Sequence, residues 1–328
     1  MLVDTFKRKI DYLRVSLTKQ CNFRCQYCMP DTPDDFFDNT ALALPKLLEF
    51  IKVAIDNGIT KIRITGGEPL LRPDIAEFIA GIYAHKPSDP NTNIEIALTT
   101  NGFLLERFAQ SLKDAGLKRI NISLDSLKPE RVKAISKRDA LPQILRGIES
   151  AQRVGLGVKL NMVALVQTRD EICDMLEFGR TRGVLVRFIE FMENTHANST
   201  LIPLTSSEIL ETIASRYKIT PLFKEHFGPA KLFNIDAKSK DGRPYAFGII
   251  APHEDDFCAS CNRIRLTSEG VLCPCLFYQD SVNAREAIVS GDKETMSILL
   301  KQAVHNKPEK NQWSAEQISE RAFYHTGG

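Results

Sequence analysis

Between Leu13 and Glu190, short runs rich in Val, Ile and Leu alternate with longer stretches in which apolar residues recur every three or four positions. The short runs are Leu13–Thr18, Lys61–Thr65, Ile94–Thr99, Arg119–Leu124, Val158–Leu165 and Val184–Glu190. They read as strands with few charges, buried on both faces. Helices are predicted near 45–57, 73–84, 103–115, 129–136, 142–154 and 170–182. Pro45, Pro73, Pro129 and Pro142 sit in first turns, and Gly58, Gly116, Gly155 and Gly183 lie near the ends, as helix starts and stops prefer. About six βα units in succession predict an α/β fold with a parallel sheet, either doubly wound or curved toward a barrel.

Beyond residue 200 the pattern loosens. Thr205–Tyr217 reads as a helix, 226–257 as irregular with short strand-like pieces, and 283–305 as helical. No low-complexity linker separates this part, which predicts that it packs against the first.

Parallel α/β folds bind ligands at the C-terminal ends of their strands. Here those ends run into Cys21–Cys28, Gly66-Gly67-Glu68-Pro69, Thr99-Thr100-Asn101-Gly102, Ser123-Leu124-Asp125 and Glu190-Phe191-Met192, while the fifth strand carries Lys159 and Asn161. Their convergence on one rim predicts a single active site.

Charge alters the picture only by exclusion. With 43 Lys and Arg against 41 Asp and Glu, the formal net charge is +2, so no one-signed field favours nucleic acid or a membrane surface. A local basic pocket for a small anion stays open. No signal peptide and no apolar run of about 20 residues is present in the sequence, and the expected location is cytoplasmic. In that reducing compartment disulfides are rare, yet three of the eight cysteines lie at 21, 25 and 28 and four at 258, 261, 273 and 275. Such clusters point to metal.

Cys21, Cys25 and Cys28 have the spacing C-x3-C-x2-C. Three thiolates on one loop suit three corners of a [4Fe–4S] cube, leaving one iron open. Zinc would want a fourth protein ligand, and none is near in sequence. Cys258, Cys261, Cys273 and Cys275 admit two readings: four thiolates for zinc, or three (Cys258, Cys261, Cys275) for a second cluster with an open iron. The intervening Asn262-Arg263-Ile264-Arg265 favours the cluster, because alternate arginines on a strand share a face and make a phosphate clamp.

These motifs resemble the radical S-adenosylmethionine (SAM) superfamily. Together with Cys28-Met-Pro, Gly-Gly-Glu-Pro-Leu-Leu-Arg, Leu-Thr-Thr-Asn-Gly, Asn-Ile-Ser-Leu-Asp-Ser, Phe-Cys-x-x-Cys-Asn-Arg-Ile-Arg-Leu-Thr and Cys275-Leu-Phe, they resemble its MoaA family, the GTP 3′,8-cyclases of molybdenum cofactor biosynthesis. The match runs from about Tyr12 to the terminal Gly327-Gly328. The resemblance implies a partial TIM barrel over 1–222 and a smaller cluster-binding region over 223–328. It implies two [4Fe–4S] clusters, on Cys21, Cys25 and Cys28 and on Cys258, Cys261 and Cys275.

SAM positions fall on Tyr27 (its backbone by the adenine), Gly66, Gly67, Ser123 and Met192. GTP positions fall on Arg14, Arg63, Thr99, Lys159, Arg263, Ile264 and Arg265, with Arg263 and Arg265 also implied in catalysis. The implied reaction takes hydrogen from C3′ of GTP with a SAM-derived radical and joins C3′ to guanine C8, guanine resting on the open iron of the second cluster. A reductant, handover to the next molybdopterin-pathway enzyme, the absence of nucleic acid or membrane partners and a homodimer are further expectations.

Three features depart from the family pattern. Cys273 is an additional thiol, expected to be a bystander. The segment after Met192 reads Glu-Asn-Thr-His-Ala-Asn-Ser-Thr, and the residues before the diglycine tail, expected in the active site, are altered. They keep two alternatives open: a radical SAM enzyme with an auxiliary cluster that modifies a peptide, and a metal-binding paralogue without activity. Cys173 reads as a buried small apolar residue, and Trp313 carries no signal.

Overall fold

A computed structural model describes residues 1–29, 40–222, 228–313 and 317–327. Pro30, Gly328 and the start of the stretch 226–257 therefore lie outside the described residues, as does residue 223, where the two regions were divided.

The βα alternation is present nearly residue for residue. Strands β1 (Tyr12–Ser16), β2 (Lys61–Thr65), β3 (Glu95–Thr100), β4 (Arg119–Ser123), β5 (Gly157–Ala164) and β6 (Leu185–Glu190) lie side by side in chain order and parallel. Helices α1 (Leu44–Asp56), α2 (Ile75–Tyr83), α3 (Leu105–Asp114), α4 (Pro129–Ser136), α5 (Leu141–Arg153) and α6 (Ile172–Arg182) connect them. Pro45, Pro129 and Pro142 sit at the first or second helical position of α1, α4 and α5, where the missing N–H is no loss. Gly183 ends α6 at φ 67°, a left-handed conformation that favours glycine.

The strands are not buried alike on both faces. In β2, Ile62 and Ile64 pack into the core while Lys61, Arg63 and Thr65 line a cavity. In β4, Ile120 and Ile122 do the same while Arg119 and Ser123 line it. The helices cover only the apolar face, so each strand alternates with period two, and the charges in these runs mark the other face.

The C-terminal third extends this sheet at both edges rather than packing on it as a separate layer. After α7 (Ser206–Ala214), strands β7 (Ile219–Leu222), β8 (Lys231–Lys238) and β9 (Pro244–Ile250) form an antiparallel unit whose β9 joins β6 in parallel. The stretch expected to be irregular thus carries two full strands; the polar Lys231, Asn234, Asp236 and Lys238 among its apolar residues hid their alternation. A short helix α8 (Asp255–Ala259) precedes β10 (Arg263–Leu266), which lies parallel beside β1, followed by β11 (Val271–Cys273) and β12 (Val282–Asn283). The twelve strands among the described residues make one sheet. Helices α9 (Arg285–Ser290), α10 (Lys293–His305) and α11 (Phe323–Thr326) complete the chain. No described helix is long and apolar enough to cross a membrane.

Candidate active site

One cavity of about 1260 Å³ gathers both cysteine sets: Cys21, Cys25 and Cys28 on one side, Cys258, Cys261 and Cys275 on the other. It is also lined by Arg14, Tyr27, Arg63, Gly66, Gly67, Thr99, Ser123, Lys159, Met192, Arg263 and Arg265. Ile264 is the exception among the predicted positions. It is fully buried in the core, on the face of β10 opposite Arg263 and Arg265, so its side chain does not belong to the site.

The glycine pair is required by the chain itself. A Cβ on Gly67 would lie 2.2 Å from the Gln20 carbonyl oxygen, and one on Gly66 would lie 2.7 Å from that of Thr18. The turn after β2 thus presses on the backbone leading into Cys21, and Gly67 and Glu68 donate N–H bonds of 2.7 Å to the Thr18 and Gln20 carbonyls. Buried Glu68 accepts from Leu70 N, Thr100 Oγ1 and Asn101 N at 3.0, 2.7 and 2.8 Å. Burial pushes its carboxyl up to about 7. Tyr27 donates to Asp125 at 2.7 Å, and its carbonyl, expected beside the adenine, accepts from Asn194 Nδ2 at 3.1 Å.

Three thiols crowded in a dry loop resist ionisation. Burial pushes Cys21 and Cys28 up to about 12 and Cys25 well above its ordinary value. A cation cluster would remove that penalty, since coordination deprotonates a thiol outright. The Phe23 N–H points to Cys21 Sγ at 3.4 Å, a further contact suited to a cluster sulfur. Among the described residues no three His, Cys, Asp or Glu side chains converge tightly enough for a single ion; in a cube each thiolate meets a different iron. The residues present fit the group.

The second set has a different setting. Asn311 donates to Cys258 Sγ from its backbone at 3.4 Å and its side chain at 3.3 Å, and the Phe277 N–H reaches Cys275 Sγ at 3.4 Å. Burial would raise Cys261, but Arg263 and Lys307 bring it down to about 6. Cys273 is fully buried, lines a smaller cavity and not the large one, and accepts from Arg321 Nη1 at 3.1 Å.

Between the two sets lies a floor of cations. The register aligns Arg265 with Arg14, Arg14 with Arg63, Arg63 with Ala97 and Ala97 with Arg119, a row across five neighbouring strands. Adjacent strands are about 4.8 Å apart. A second alignment joins Thr99, Asn121 and Lys159. Arg187 is held by Asn161 Oδ1 at 2.6 and 2.9 Å and by Asn121 Oδ1 at 3.0 Å. Burial, then the neighbouring guanidiniums, lower Lys159 to about 7, Arg187 to about 9 and Arg265 to about 10. Arg119 pairs with Glu95; the remaining buried like charges are costly unless an anion joins them. Arg119 and Arg187 were missed from the sequence, although the alternation in Arg-Ile-Asn-Ile-Ser and Leu-Val-Arg-Phe-Ile-Glu contains the signal.

Comparison with known proteins places this geometry. Residues 15–179 match the radical SAM superfamily and residues 184–313 match Molybdenum Cofactor Synthesis C. The chain is 54% identical to a protein of Helicobacter pylori strain HPAG1 named GTP 3′,8-cyclase, over the full length of both chains. It is 49% identical to one of that name from Nautilia profundicola, again over both full lengths. The chain belongs to the GTP 3′,8-cyclase family. Among solved structures, Streptococcus suis SuiB bound to S-adenosylmethionine is similar in fold, with a TM-score of 0.64, 15% identity, and coverage of 93% of this chain and 77% of that one. Family membership brings SAM and an iron–sulfur cluster with it.

The departures from the family pattern have structural partners. In the segment after Met192, Asn194 bonds Tyr27, Thr195 N donates to Ser319 O at 2.9 Å and Asn198 N to Gln26 O at 2.7 Å. That loop thereby ties the first cysteine loop to the tail. Trp313, silent in the sequence, lines the cavity and donates to the Glu193 carbonyl at 2.9 Å. In the tail, Gly327 sits at φ 70°, with Arg265 Nη1 donating to its carbonyl at 3.0 Å. A Cβ there would lie 2.1 Å from Thr65 Cγ2.

Proposed function

We propose that this chain converts GTP to its 3′,8-cyclised product, the first step toward molybdopterin, using SAM and two [4Fe–4S] clusters. The observation that carries the reading is the cavity itself: two separate cysteine triads face each other across a row of arginines and lysine. A triphosphate carries about four negative charges, and charge-assisted bonds to guanidinium and ammonium are the strong kind.

Cys21, Cys25 and Cys28 would hold the first cluster, with SAM beside Tyr27, Gly66, Gly67, Ser123 and Met192. Bound there and reduced, SAM supplies the 5′-deoxyadenosyl radical that makes C3′ of the ribose reactive. Cys258, Cys261 and Cys275 would hold the second cluster against the guanine. Arg14, Arg63, Thr99, Lys159, Arg263 and Arg265, joined by Arg119 and Arg187, bind and orient the nucleotide so that C3′ and C8 approach, a contribution worth several orders of magnitude in rate. Phe257, Leu276 and Phe323 line the same cavity and exclude water from it.

Residues 1–222 form the SAM part and 223–328 the part bringing the second cluster. An external reductant charges the clusters, the product passes to the next pathway enzyme, and the chain works in the cytoplasm, with pairing of two copies a further expectation.

The test is an anaerobic reaction of iron-reconstituted protein with SAM and dithionite, with and without GTP. Deoxyadenosine that depends on GTP and matches its loss supports the reading. Equal deoxyadenosine without GTP redirects the search to another substrate, and none at all, with a full first cluster, overturns it.

A further inference from the structure

Lys307 follows the end of α10 and is only 4% exposed. A lysine near a helix C-terminus can bond the last carbonyls of its own helix. Here Nζ reaches across to the Arg263 carbonyl at 2.7 Å, the Pro274 carbonyl at 3.0 Å and Cys261 Sγ at 3.7 Å. It therefore bridges β10 to the Cys275 loop. Among the described residues no carboxylate pairs with this ammonium, although a buried ammonium without a counter-charge is costly. Its countercharge must come from the thiolates.

Asn311, four residues on, aims both its N–H groups at Cys258 Sγ, while its side chain also donates to the Pro252 carbonyl at 2.9 Å. The first cysteine set also receives an N–H···S contact, from Phe23 to Cys21 Sγ at 3.4 Å, but its charged neighbours differ. Carboxylates of Glu68 and Asp125 face Cys21 and Cys25. The nearby Arg24 directs Nη1 to the carbonyls of Cys21 and Phe23 at 2.7 and 2.6 Å.

We propose that Lys307 and Asn311 are positioning residues that raise the reduction potential of a cluster held by Cys258, Cys261 and Cys275. The inference rests on the reading that this second set holds a cluster. Adding an electron adds negative charge, which a buried ammonium and N–H···S bonds stabilise; net charge and hydrogen bonds to sulfur are among the factors that set such potentials.

The test uses the full chain with Cys21, Cys25 and Cys28 changed to Ala, so that only the second cluster is seen. Iron is counted and the midpoint potential followed by electron paramagnetic resonance during redox titration. Lys307→Met and Asn311→Leu are each expected to keep their iron and to shift the midpoint to more negative values, while Lys307→Arg stays at the parental value. Unchanged midpoints in both variants overturn the proposal. Should Lys307→Met lose its iron, Asn311→Leu, which removes no buried charge, decides by the same criterion. A parent protein that binds no iron at these cysteines overturns the underlying reading instead, before any variant is made.

Discussion

Gly67→Ala isolates the role of the turn after β2. Its new methyl would meet the Gln20 carbonyl oxygen at 2.2 Å, the Gln20 carbonyl carbon at 2.6 Å and the Lys19 carbonyl oxygen at 2.7 Å. Ordinary contact begins near 3.5 Å, so about 1.3 Å must be opened between two backbone segments that cannot swing aside as a side chain would. Overpacking of this kind costs about 1–3 kcal/mol, a part of the roughly 5–15 kcal/mol that holds a domain together. The protein stays folded. The strain is relieved at Lys19-Gln20, next to Cys21, and a misplacement of about 1 Å at a reacting centre can cost about 100-fold in rate. The expected result is a melting temperature lower by several degrees, near-normal iron, and GTP-dependent deoxyadenosine formation reduced about 100-fold. Gly66→Ala, whose nearest contact is 2.7 Å, is expected to lose less on both measures. A Gly67→Ala protein that cleaves SAM at the parental rate would refute this account of the glycine pair.

Cys275→Ser should lower bound iron by the content of one cluster whereas Cys273→Ser should not, since only Cys275 faces the cavity; chemical iron analysis after reconstitution distinguishes them. Arg321→Ala removes bonds to the carbonyls of Tyr278 and Asp280 at 2.6 and 2.8 Å and to Cys273 Sγ at 3.1 Å. A loss of about 2–4 kcal/mol follows, read by chemical denaturation, with the tail cut faster by protease. Lys159 in the free protein sits near 7 because of burial and the adjacent Arg119, Arg187 and Arg63. A bound triphosphate favours its charged form, so GTP affinity should fall as pH rises from 7.5 to 9, and calorimetry of Lys159→Met should show a flatter profile. Stability runs the other way: above about 7 the unfolded chain binds the proton that folded Lys159 has released. This group therefore makes the free protein more stable with rising pH up to its unfolded value of 10.5, and melting temperatures of Lys159→Met should lack that increment.

The order of elements and the two cysteine triads that line the cavity were readable because they depend on local signals: period-two and period-3.6 patterns, first-turn prolines and tightly spaced thiols. Arg119 and Arg187 belong to the same code, but reading the strands as buried on both faces concealed it; the charges were the mark of a lined cavity. Ile264 was misplaced because adjacency in sequence to Arg263 and Arg265 is opposition in space on a strand. Lys307, Asn311 and Trp313 carry no local signal at all. Their roles arise from β10 returning beside β1, a long-range pairing that no window of sequence contains.

That pairing also bears on how the molecule is made. Tyr12 and Leu13 are synthesised well before their neighbours Arg263 and Ile264, which follow about 250 residues later. Until then the nascent chain presents β1 as an unprotected sheet edge, a template for misassociation, and the closing contact is of the slow, long-range kind. Thiols at 21, 25 and 28 emerge from the ribosome well before those at 258, 261 and 275. The first cysteine set can thus be in place before the sheet closes, whereas the second joins it only once β10 has been made. In a cell short of chaperone capacity, truncated or stalled chains would expose that edge and associate through it.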